Sequence, residues 1–139
     1  MVNPRILIVD DDGSIRTLLS VVAARAGVSA DVAADGVEAM RRIEEGDYDL
    51  IVLDLSMPRM NGFDLIERLR ERKPRPAVIV LTALSRRDFL DLDPEVVHCI
   101  VRKPFDLNTF MALFVATATD VHEARHAENV VEFPRLNAG

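Results

Sequence analysis

Charged and hydroxyl side chains follow four short apolar runs of this 139-residue sequence, each where the run ends. They belong to Asp10, Asp11, Asp54, Thr82 and Lys103. Carboxylates that lie close together raise each other's proton affinity, and a hard divalent cation such as Mg²⁺ removes that conflict. An Asp beside Mg²⁺ can attack phosphorus, while an ammonium, a hydroxyl and a backbone N–H bind the phosphate oxygens. If the run ends meet in space, they predict Mg²⁺-dependent phosphoryl transfer to a carboxylate.

The apolar runs have the length and composition of buried strands. They cover residues 6–9, 50–53, 78–81 and 99–101, and a weaker strand is predicted nearer an edge at residues 29–33. Each run is too short for a buried helix and is rich in β-branched residues. Because the runs are apolar on both faces, they are typical of parallel strands that helices cover on both sides.

Helical periodicity appears in the segments between the predicted strands. Apolar residues recur every three or four positions at residues 15–26, 37–43, 63–69 and 107–121. Strands and helices that alternate in this way predict a doubly wound α/β sheet, in which ligands bind beyond the carboxyl ends of the strands. Between residues 81 and 99 an Asp-rich stretch runs into Pro94, so a short or broken fourth helix is predicted there.

Composition limits the classes of protein to which this chain can belong. It has 17 basic and 23 acidic residues, a net charge of −6 and a single Cys. It has neither a basic block for nucleic-acid phosphates nor an apolar run of the ~20 residues that span a bilayer. The start of the chain also lacks a signal peptide's cleavage region. We therefore expect one cytoplasmic domain that enters no membrane and binds no nucleic acid directly, since a lone Cys fits a reducing compartment.

The motifs at the run ends, in this order and spacing, resemble those of the receiver domain of two-component response regulators. They are residues 6–12, Asp54 to Gly62, Thr82-Ala83 and Lys103-Pro104-Phe105. The resemblance covers about residues 5–119. It implies a flavodoxin-like (βα)5 fold, a doubly wound sheet of five parallel strands in the order 2-1-3-4-5. It also implies a receiver domain over residues 1–121 and a tail over residues 122–139 that holds no output domain.

The resemblance implies a role for each acidic residue of the motifs. Asp54 would accept the phosphoryl group from a histidine kinase or a phosphotransfer protein. Mg²⁺ would be bound directly by Asp11, Asp54 and the backbone carbonyl of Ser56, and Asp10 would contribute mostly through water. The motif that follows Asp54 would shape the loop before the third helix, and Gly62 can be the first residue of that helix.

The other motif residues would bind the phosphoryl group itself. Thr82 would donate its hydroxyl to a phosphoryl oxygen and swing inward on activation. Ala83 would leave room for the group and offer its backbone N–H, and Lys103 would pair with the phosphate charge. Pro104 would follow a cis peptide bond.

These implied roles describe a stand-alone response regulator, with its oligomeric state left open. It would act as a phosphorylation-controlled protein-interaction switch on a separate effector protein, or as a phosphorelay intermediate. It would not be an enzyme beyond catalysing its own phosphorylation and dephosphorylation. One alternative is a receiver-shaped module that signals without phosphorylation. Another is a Mg²⁺-dependent phosphatase of the aspartyl-phosphate type, although that class opens with Asp-x-Asp, whereas here the paired acids come first.

Two positions depart from the family pattern. An aromatic residue usually stands three residues before the Lys and moves inward with the Thr, whereas this chain has Ile100 there. Pro94 interrupts the helix before the last strand. We therefore expect an unusual output face, and our hypothesis is that residues 84–97 order or shift when charge arrives at Asp54.

Further features lie outside these motifs. His122, Glu123 and His126 fit the H-E-x-x-H pattern of zinc proteases, but our interpretation is a solvated extension of the last helix. Cys99 lies inside an apolar run and is predicted to be a small buried hydrophobe. The tail has four apolar residues, Val130, Val131, Phe133 and Leu136. They suggest docking on the chain's own domain or on a partner, with disorder as a third alternative.

Overall fold

Strands and helices alternate along the chain in a computed structural model that describes residues 4–57, 59–89 and 91–125. The strands are β1 (Arg5–Val9), β2 (Ser29–Ala33), β3 (Leu50–Leu53), β4 (Ala77–Thr82) and β5 (Val97–Arg102). The helices are α1 (Gly13–Arg25), α2 (Gly36–Glu45), α3 (Gly62–Arg70) and α4 (Leu107–Arg125), with a short 3₁₀ helix at Arg86–Phe89. Pro58, His126 and the four apolar tail residues lie outside the described residues.

The strands pair in parallel in the order β2-β1-β3-β4-β5, which confirms the predicted fold and places β2 at an edge. β5 begins at Val97, two residues before the predicted run, because the exposed His98 interrupts the apolar pattern but not the strand. Parallel pairing brings the carboxyl ends of β1, β3, β4 and β5 to one edge of the sheet. The motif residues therefore follow strands that end side by side.

A separate apolar core covers each face of the sheet. One face packs against α2 and α3 through buried residues such as Ile43 and Leu65. The other packs against α1 and α4, where Phe110 and Phe114 are almost fully buried with ring centroids 5.8 Å apart. Cys99 packs half-buried against this second core, and its burial raises the pKa of the thiol. None of the described helices is long and apolar enough to cross a membrane.

Short polar side chains start the first three helices close to the site edge of the sheet. Asp12 accepts the backbone N–H of Ser14 at 2.8 Å, and Asp35 accepts that of Glu38 at 2.8 Å. Asn61 does the same for α3 at 3.0 Å. These side chains satisfy backbone donors that the first turn of a helix leaves unpaired, and so they fix where each helix begins.

The segment between β4 and β5 contains only the 3₁₀ helix among its described residues, which confirms the predicted short fourth helix. Asp88 closes this turn by accepting hydrogen bonds from the hydroxyl and the backbone N–H of Ser85, at 2.7 and 3.2 Å. Asp93 then ties the segment to α3 through Arg70 at 2.9 Å. The segment is thus held by side-chain contacts rather than by a helical ladder.

The described part of the last helix runs to Arg125. Its polar end is held by Asp49, a buried carboxylate beside the start of β3. The Asp49 carboxylate contacts Nδ1 of His122 at 2.8 Å and Nη1 of Arg125 at 3.2 Å. Arg125 also donates to the backbone carbonyl of Tyr48. The predicted extension of the last helix is thus confirmed as far as Arg125, but His122 contacts Asp49 at the sheet edge and is only partly solvated.

Gly62 allows the start of α3 to approach the loop that follows β3. Its backbone N–H donates to the carbonyl of Leu55 at 3.0 Å. A Cβ at this position would lie 2.6 Å from the Asp54 carbonyl oxygen and 2.6 Å from Cα of Leu55. Both neighbours are backbone atoms, which cannot move aside as the end of a side chain can. The close approach therefore fixes the backbone at Asp54.

We expect Gly62→Ala to lower the free energy of unfolding by about 1–3 kcal/mol, because the added methyl group forces α3 away from this loop. Gly13→Ala is the matched control, since a Cβ there meets nothing closer than 3.4 Å. The control should change stability by less than about 1 kcal/mol. Urea denaturation of both variants measures the difference, and equal stability of Gly62→Ala and wild type would contradict this account.

Candidate functional site

Three carboxylates from two neighbouring strand ends meet at the carboxyl edge of the sheet. Asp10 and Asp11 follow β1, Asp54 follows β3, and one carboxylate oxygen of each lies within 4.8 Å of those of the other two. The paired registers of β1 and β3 place them there, and the backbone N–H of Asp54 donates to the carbonyl of Val9 at 2.9 Å. The structure thus brings together the acidic residues that the sequence singled out.

The three carboxylates differ in their exposure. Asp10 is 2% exposed and Asp54 is 6% exposed, whereas Asp11 lies open to solvent. Both oxygens of Asp10 are already engaged, because Oδ1 accepts the N–H of Asp12 at 2.9 Å and Oδ2 accepts Nζ of Lys103 at 3.0 Å. Solvent therefore reaches the cluster at the Asp11 side.

Lys103 brings the positive charge into the cluster from the end of β5. Its Nζ lies 3.0 Å from Oδ2 of Asp10 and 3.8 Å from Oδ2 of Asp54. Its backbone N–H donates to the carbonyl of Thr82 at 2.8 Å, which ties the loop after β5 to the end of β4. The peptide bond between Lys103 and Pro104 is cis, as the resemblance implied.

The pKa of Asp54 is raised from its usual 3.8 to about 6, and burial is the largest cause. The backbone N–H of Ser56, which donates to Oδ1 at 3.2 Å, opposes this rise by stabilising the carboxylate. The charge of Asp10 and, less strongly, that of Asp11 raise the pKa, while Lys103 lowers it. Neither the lysine nor the hydrogen bond offsets the burial and the repulsion of the neighbouring carboxylates.

The hydroxyl of Thr82 lies at the end of β4, beside β3. Thr82 is fully buried, and its Oγ1 accepts the backbone N–H of Leu84 at 3.1 Å. Ala83 is exposed and carries no side chain beyond Cβ, so it leaves space at the rim. The hydroxyl predicted to bind phosphate thus forms a hydrogen bond to the segment between β4 and β5.

The residues at this edge fit a hard divalent cation. The donors are carboxylate oxygens from Asp10, Asp11 and Asp54, which are the type of ligand that Mg²⁺ prefers. Burial and the neighbouring carboxylates raise the pKa of Asp54 despite Lys103, so a bound cation would stabilise its ionised form. Ser56, whose carbonyl the resemblance assigns to the metal, follows Asp54 by two residues and is exposed at the open side.

The sequence did not predict two arginine contacts near the site. Nη1 of Arg16 in α1 donates to the backbone carbonyl of Asp10 at 2.7 Å. Nη1 of Arg59, in the loop after Asp54, lies 3.2 Å from Oδ2 of Asp35, and Arg59 has a positive φ of 66°. An Arg on a helix or in a loop carries no signal for such a contact, because the contact depends on how the elements pack.

The fold and the acidic cluster match those of a known protein family. Residues 6–115 match the family model of the response regulator receiver domain. The chain therefore belongs to the receiver domain family of two-component response regulators. Receiver domains are signalling phosphoacceptors that bind Mg²⁺ at an acidic pocket and interact with histidine kinases and effector domains.

Curated relatives are transcriptional regulators of greater length. The chain is 32% identical over 114 residues to the DNA-binding transcriptional regulator NtrC of Rhizobium meliloti, covering 81% of this chain and 24% of the relative. It is 34% identical over 138 residues to the DNA-binding dual master transcriptional regulator RpaA of Synechocystis, covering 94% of this chain and 57% of the relative. The chain thus spans less than two thirds of these relatives.

This chain covers almost the whole length of two solved receiver structures. The response regulator TrrA of Thermotoga maritima, in complex with Mg²⁺ and BeF, is 32% identical with a TM-score of 0.73. The match covers 82% of this chain and 98% of TrrA. The receiver domain of a Francisella response regulator is 28% identical with a TM-score of 0.76, covering 88% of this chain and 99% of that domain.

The raised pKa of Asp54 predicts how stability depends on pH without divalent cations. The folded protein binds an extra proton between pH ~4 and ~6, so the free energy of unfolding falls as the pH rises through this window. Above it, the ionised Asp54 costs about 3 kcal/mol. We expect Asp54→Asn to be more stable than wild type at pH 7.5 by up to this amount, and the gain to vanish near pH 4.

Urea denaturation in a chelator at several pH values between 4 and 8 measures this gain. Asp12→Asn is the control, because Asp12 is exposed and caps α1 outside the cluster, and Asn preserves the cap. A gain for Asp54→Asn that is the same at pH 4 and pH 7.5 would show that ionisation of Asp54 is not its cause.

Proposed function

We propose that this chain is a response regulator in which Asp54 accepts a phosphoryl group from a histidine kinase or a phosphotransfer protein. Phosphorylation of Asp54 depends on Mg²⁺, and it either switches a protein interaction or serves as one step of a phosphorelay. The observation that carries the proposal is the meeting of three carboxylates and one ammonium at the carboxyl edge of the sheet. Membership of the receiver family supports it.

Asp54 is the acceptor that the contacts favour among the three carboxylates. Asp10 has both oxygens engaged, by an N–H and by the ammonium of Lys103. Oδ2 of Asp54 lies 3.8 Å from that ammonium, beyond hydrogen-bond distance, so its lone pairs are free to attack phosphorus. Asp11 is exposed, which suits a metal ligand that solvent and substrate can reach.

The metal is proposed to be held by Asp11, Asp54 and the carbonyl of Ser56, with Asp10 acting mostly through water. When bound, Mg²⁺ neutralises the carboxylates and the phosphoryl oxygens. Lys103 lies on the Asp10 side of the cluster and is placed to pair with a further phosphoryl oxygen. The hydroxyl of Thr82 and the N–H of Ala83 supply the other donors at the end of β4.

The reaction is an in-line displacement at phosphorus. A carboxylate oxygen of Asp54 forms the new P–O bond while the P–N bond to the donor histidine breaks, and the imidazole leaves with that electron pair. Lys103 and the Thr82 hydroxyl stabilise charge on the three equatorial oxygens. The product is an acyl phosphate whose charge near −2 replaces the single negative charge of the ionised Asp54 carboxylate at the site edge.

The output is proposed to run through the segment between β4 and β5. The Thr82 hydroxyl that turns toward a phosphoryl oxygen leaves its hydrogen bond with the N–H of Leu84. Leu84, Leu92 and Ile100 pack half-buried against the core under α2 and α3. Because Ile100 replaces the usual aromatic residue, we propose that the apolar core against which Leu84 and Ile100 both pack couples Thr82 to β5. The effector is a separate protein that prefers one arrangement of this segment.

We expect intact-mass measurement to detect one phosphoryl group on the protein after incubation with acetyl phosphate and Mg²⁺. The adduct should be absent with a chelator and absent in Asp54→Asn, because the metal and the acceptor oxygen are then missing. Asp12→Asn should be labelled like wild type, since Asp12 is a helix cap outside the cluster.

The contrary outcomes separate the alternatives. Labelling that persists in Asp54→Asn would move the acceptor to another residue. If acetyl phosphate fails to label the protein, binding of beryllofluoride with Mg²⁺ decides the matter. Binding would keep the switch with a strict need for a protein donor, and the lack of binding would favour a module that signals without phosphorylation.

We further expect beryllofluoride and Mg²⁺ to change amide hydrogen exchange across residues 84–97, with the N–H of Leu84 exchanging at least about fivefold faster. The reason is the loss of its hydrogen bond to Thr82. Thr82→Val, which keeps the branched shape but removes the hydroxyl, should speed exchange at Leu84 without any mimic. Amides of β1 are the internal control, and exchange of residues 84–97 that ignores the mimic would refute this output route.

A further inference from the structure

The loop between β3 and α3 carries the Ser56 carbonyl of the proposed metal site. The base of this loop is closed by Gly62, whose N–H donates to the carbonyl of Leu55 at 3.0 Å. Nearer the tip, Arg59 is exposed and has a φ of 66°, in the left-handed region that residues other than Gly rarely adopt. Such a conformation persists only where neighbouring contacts hold it, so the tip depends on contacts outside the loop.

The start of α2 supplies contacts of this kind. The backbone N–H of Gly36 donates to the carbonyl of Met60 at 3.0 Å. A Cβ at Gly36 would lie 2.0 Å from that carbonyl oxygen and 2.7 Å from its carbon, so only Gly permits this approach. Beside it, Oδ2 of Asp35 pairs with Nη1 of Arg59 at 3.2 Å. The tip of the loop is therefore bound to α2 by a backbone hydrogen bond and an ion pair.

Reciprocal hydrogen bonds fix the place where α2 begins. Oδ1 of Asp35 accepts the N–H of Glu38 at 2.8 Å, while Oε1 of Glu38 accepts the N–H of Ala34 at 3.1 Å. This arrangement is a capping box, which satisfies two backbone donors at once. The two oxygens of Asp35 thus have different tasks, since one caps the helix and the other pairs with the loop.

The chain that leads into α2 also contacts the acidic cluster. The backbone N–H of Asp10 donates to the carbonyl of Ala33, the last residue of β2, at 3.2 Å. Residues 33–36, which we call the β2–α2 turn, therefore bind Asp10 on one side and the tip of the loop on the other. The turn connects the two parts of the chain that the proposed metal site brings together.

We propose that the β2–α2 turn sets the position of the Ser56 carbonyl relative to the carboxylates, with Asp35 and Gly36 as positioning residues. This inference rests on the proposed Mg²⁺-dependent function. The carbonyl belongs to the peptide bond between Ser56 and Met57, and the Met57 side chain is buried. Because the loop is held at its base and at its tip, a shift of the tip also moves this peptide bond. Displacement of the tip therefore weakens Mg²⁺ binding.

The test is the Mg²⁺ dissociation constant of the full chain, measured by isothermal titration calorimetry at pH 7.5. Gly36→Ala should raise it about tenfold, because the added methyl group displaces the Met60 carbonyl. Gly46→Ala is the matched control at the other end of α2, where a Cβ would meet Tyr48 first, at 3.2 Å. The control perturbs the same helix away from the loop, so its dissociation constant should stay within about twofold of wild type.

Variants of the ion pair decide the matter if Gly36→Ala does not fold. Asp35→Asn keeps the oxygen that caps α2 but turns an amide toward Arg59, and it should raise the dissociation constant about threefold. Arg59→Gln should match it, whereas Arg59→Lys, which keeps the charge, should bind Mg²⁺ like wild type. Asp64→Asn is the charge control, since Asp64 is exposed in the first turn of α3.

Amide hydrogen exchange in a chelator provides a readout that needs no metal. The N–H of Ser56 donates to Oδ1 of Asp54 at 3.2 Å. It should exchange at least about threefold faster in Asp35→Asn than in wild type, because the loop opens more readily when its tip is less firmly held. Weaker Mg²⁺ binding without faster exchange would mean that the effect does not pass through the loop, which overturns the inference.

The remaining outcomes separate this inference from the proposed function. Mg²⁺ binding by wild type, with the same dissociation constant in Gly36→Ala and Asp35→Asn, would overturn the positioning role and leave the metal site in place. If Gly46→Ala weakened binding as much as Gly36→Ala, lost stability would be the cause, and the positioning role would again be overturned. Wild type that binds no Mg²⁺ would overturn the metal site and the inference with it.

Discussion

The burial of neighbouring carboxylates at one edge of the sheet is the constraint on which the rest of the site depends. Asp10 and Asp54 are almost fully buried, and Asp11 stands beside them at the surface. Burial removes the water that would otherwise stabilise the charges, so the conflict is larger here than it would be on an open surface. Lys103 relieves only part of it, because its ammonium contacts Asp10 more closely than Asp54. The site therefore favours an added positive charge, and under the proposed function such a charge accompanies the anionic phosphoryl group.

The fold holds this unfavourable cluster in place through backbone contacts that do not depend on its charge. β1 and β3 are central strands with buried side chains on both faces, and the N–H of Asp54 is bonded to the carbonyl of Val9. The close approach of Gly62 fixes the other side of the same loop. Arg16 binds the carbonyl of Asp10 and leaves its carboxylate alone. The stability of the two cores thus offsets the local electrostatic cost, as strained functional sites generally require.

The sequence predicts the fold well because its signal is local. Short apolar runs rich in β-branched residues that alternate with helical segments favour parallel strands covered on both faces, and in such a sheet the polar residues after them collect at one edge. It predicts less at polar positions: the exposed His98 continues β5, and His122, predicted on a solvated extension of the last helix, contacts Asp49 from a distant part of the chain. Asp12 illustrates the opposite case, since a third Asp in the motif serves only as a helix cap. Composition cannot separate a cap from a ligand, because the difference lies in which donor each carboxylate faces.

The segment after Thr82 shows why the departures from the family pattern fall where they do. A regular helix would hold its own backbone hydrogen bonds and would respond to the site only as a rigid body. Among its described residues, this segment has one 3₁₀ turn, which Ser85 and Asp88 close, and the N–H of Leu84 before the turn is bonded to the Thr82 hydroxyl. A segment with few internal hydrogen bonds has a low cost of local opening. Under the proposed output route, a change of one hydroxyl partner acts directly on the backbone of this segment, and an aromatic side chain in place of Ile100 is not needed to carry it.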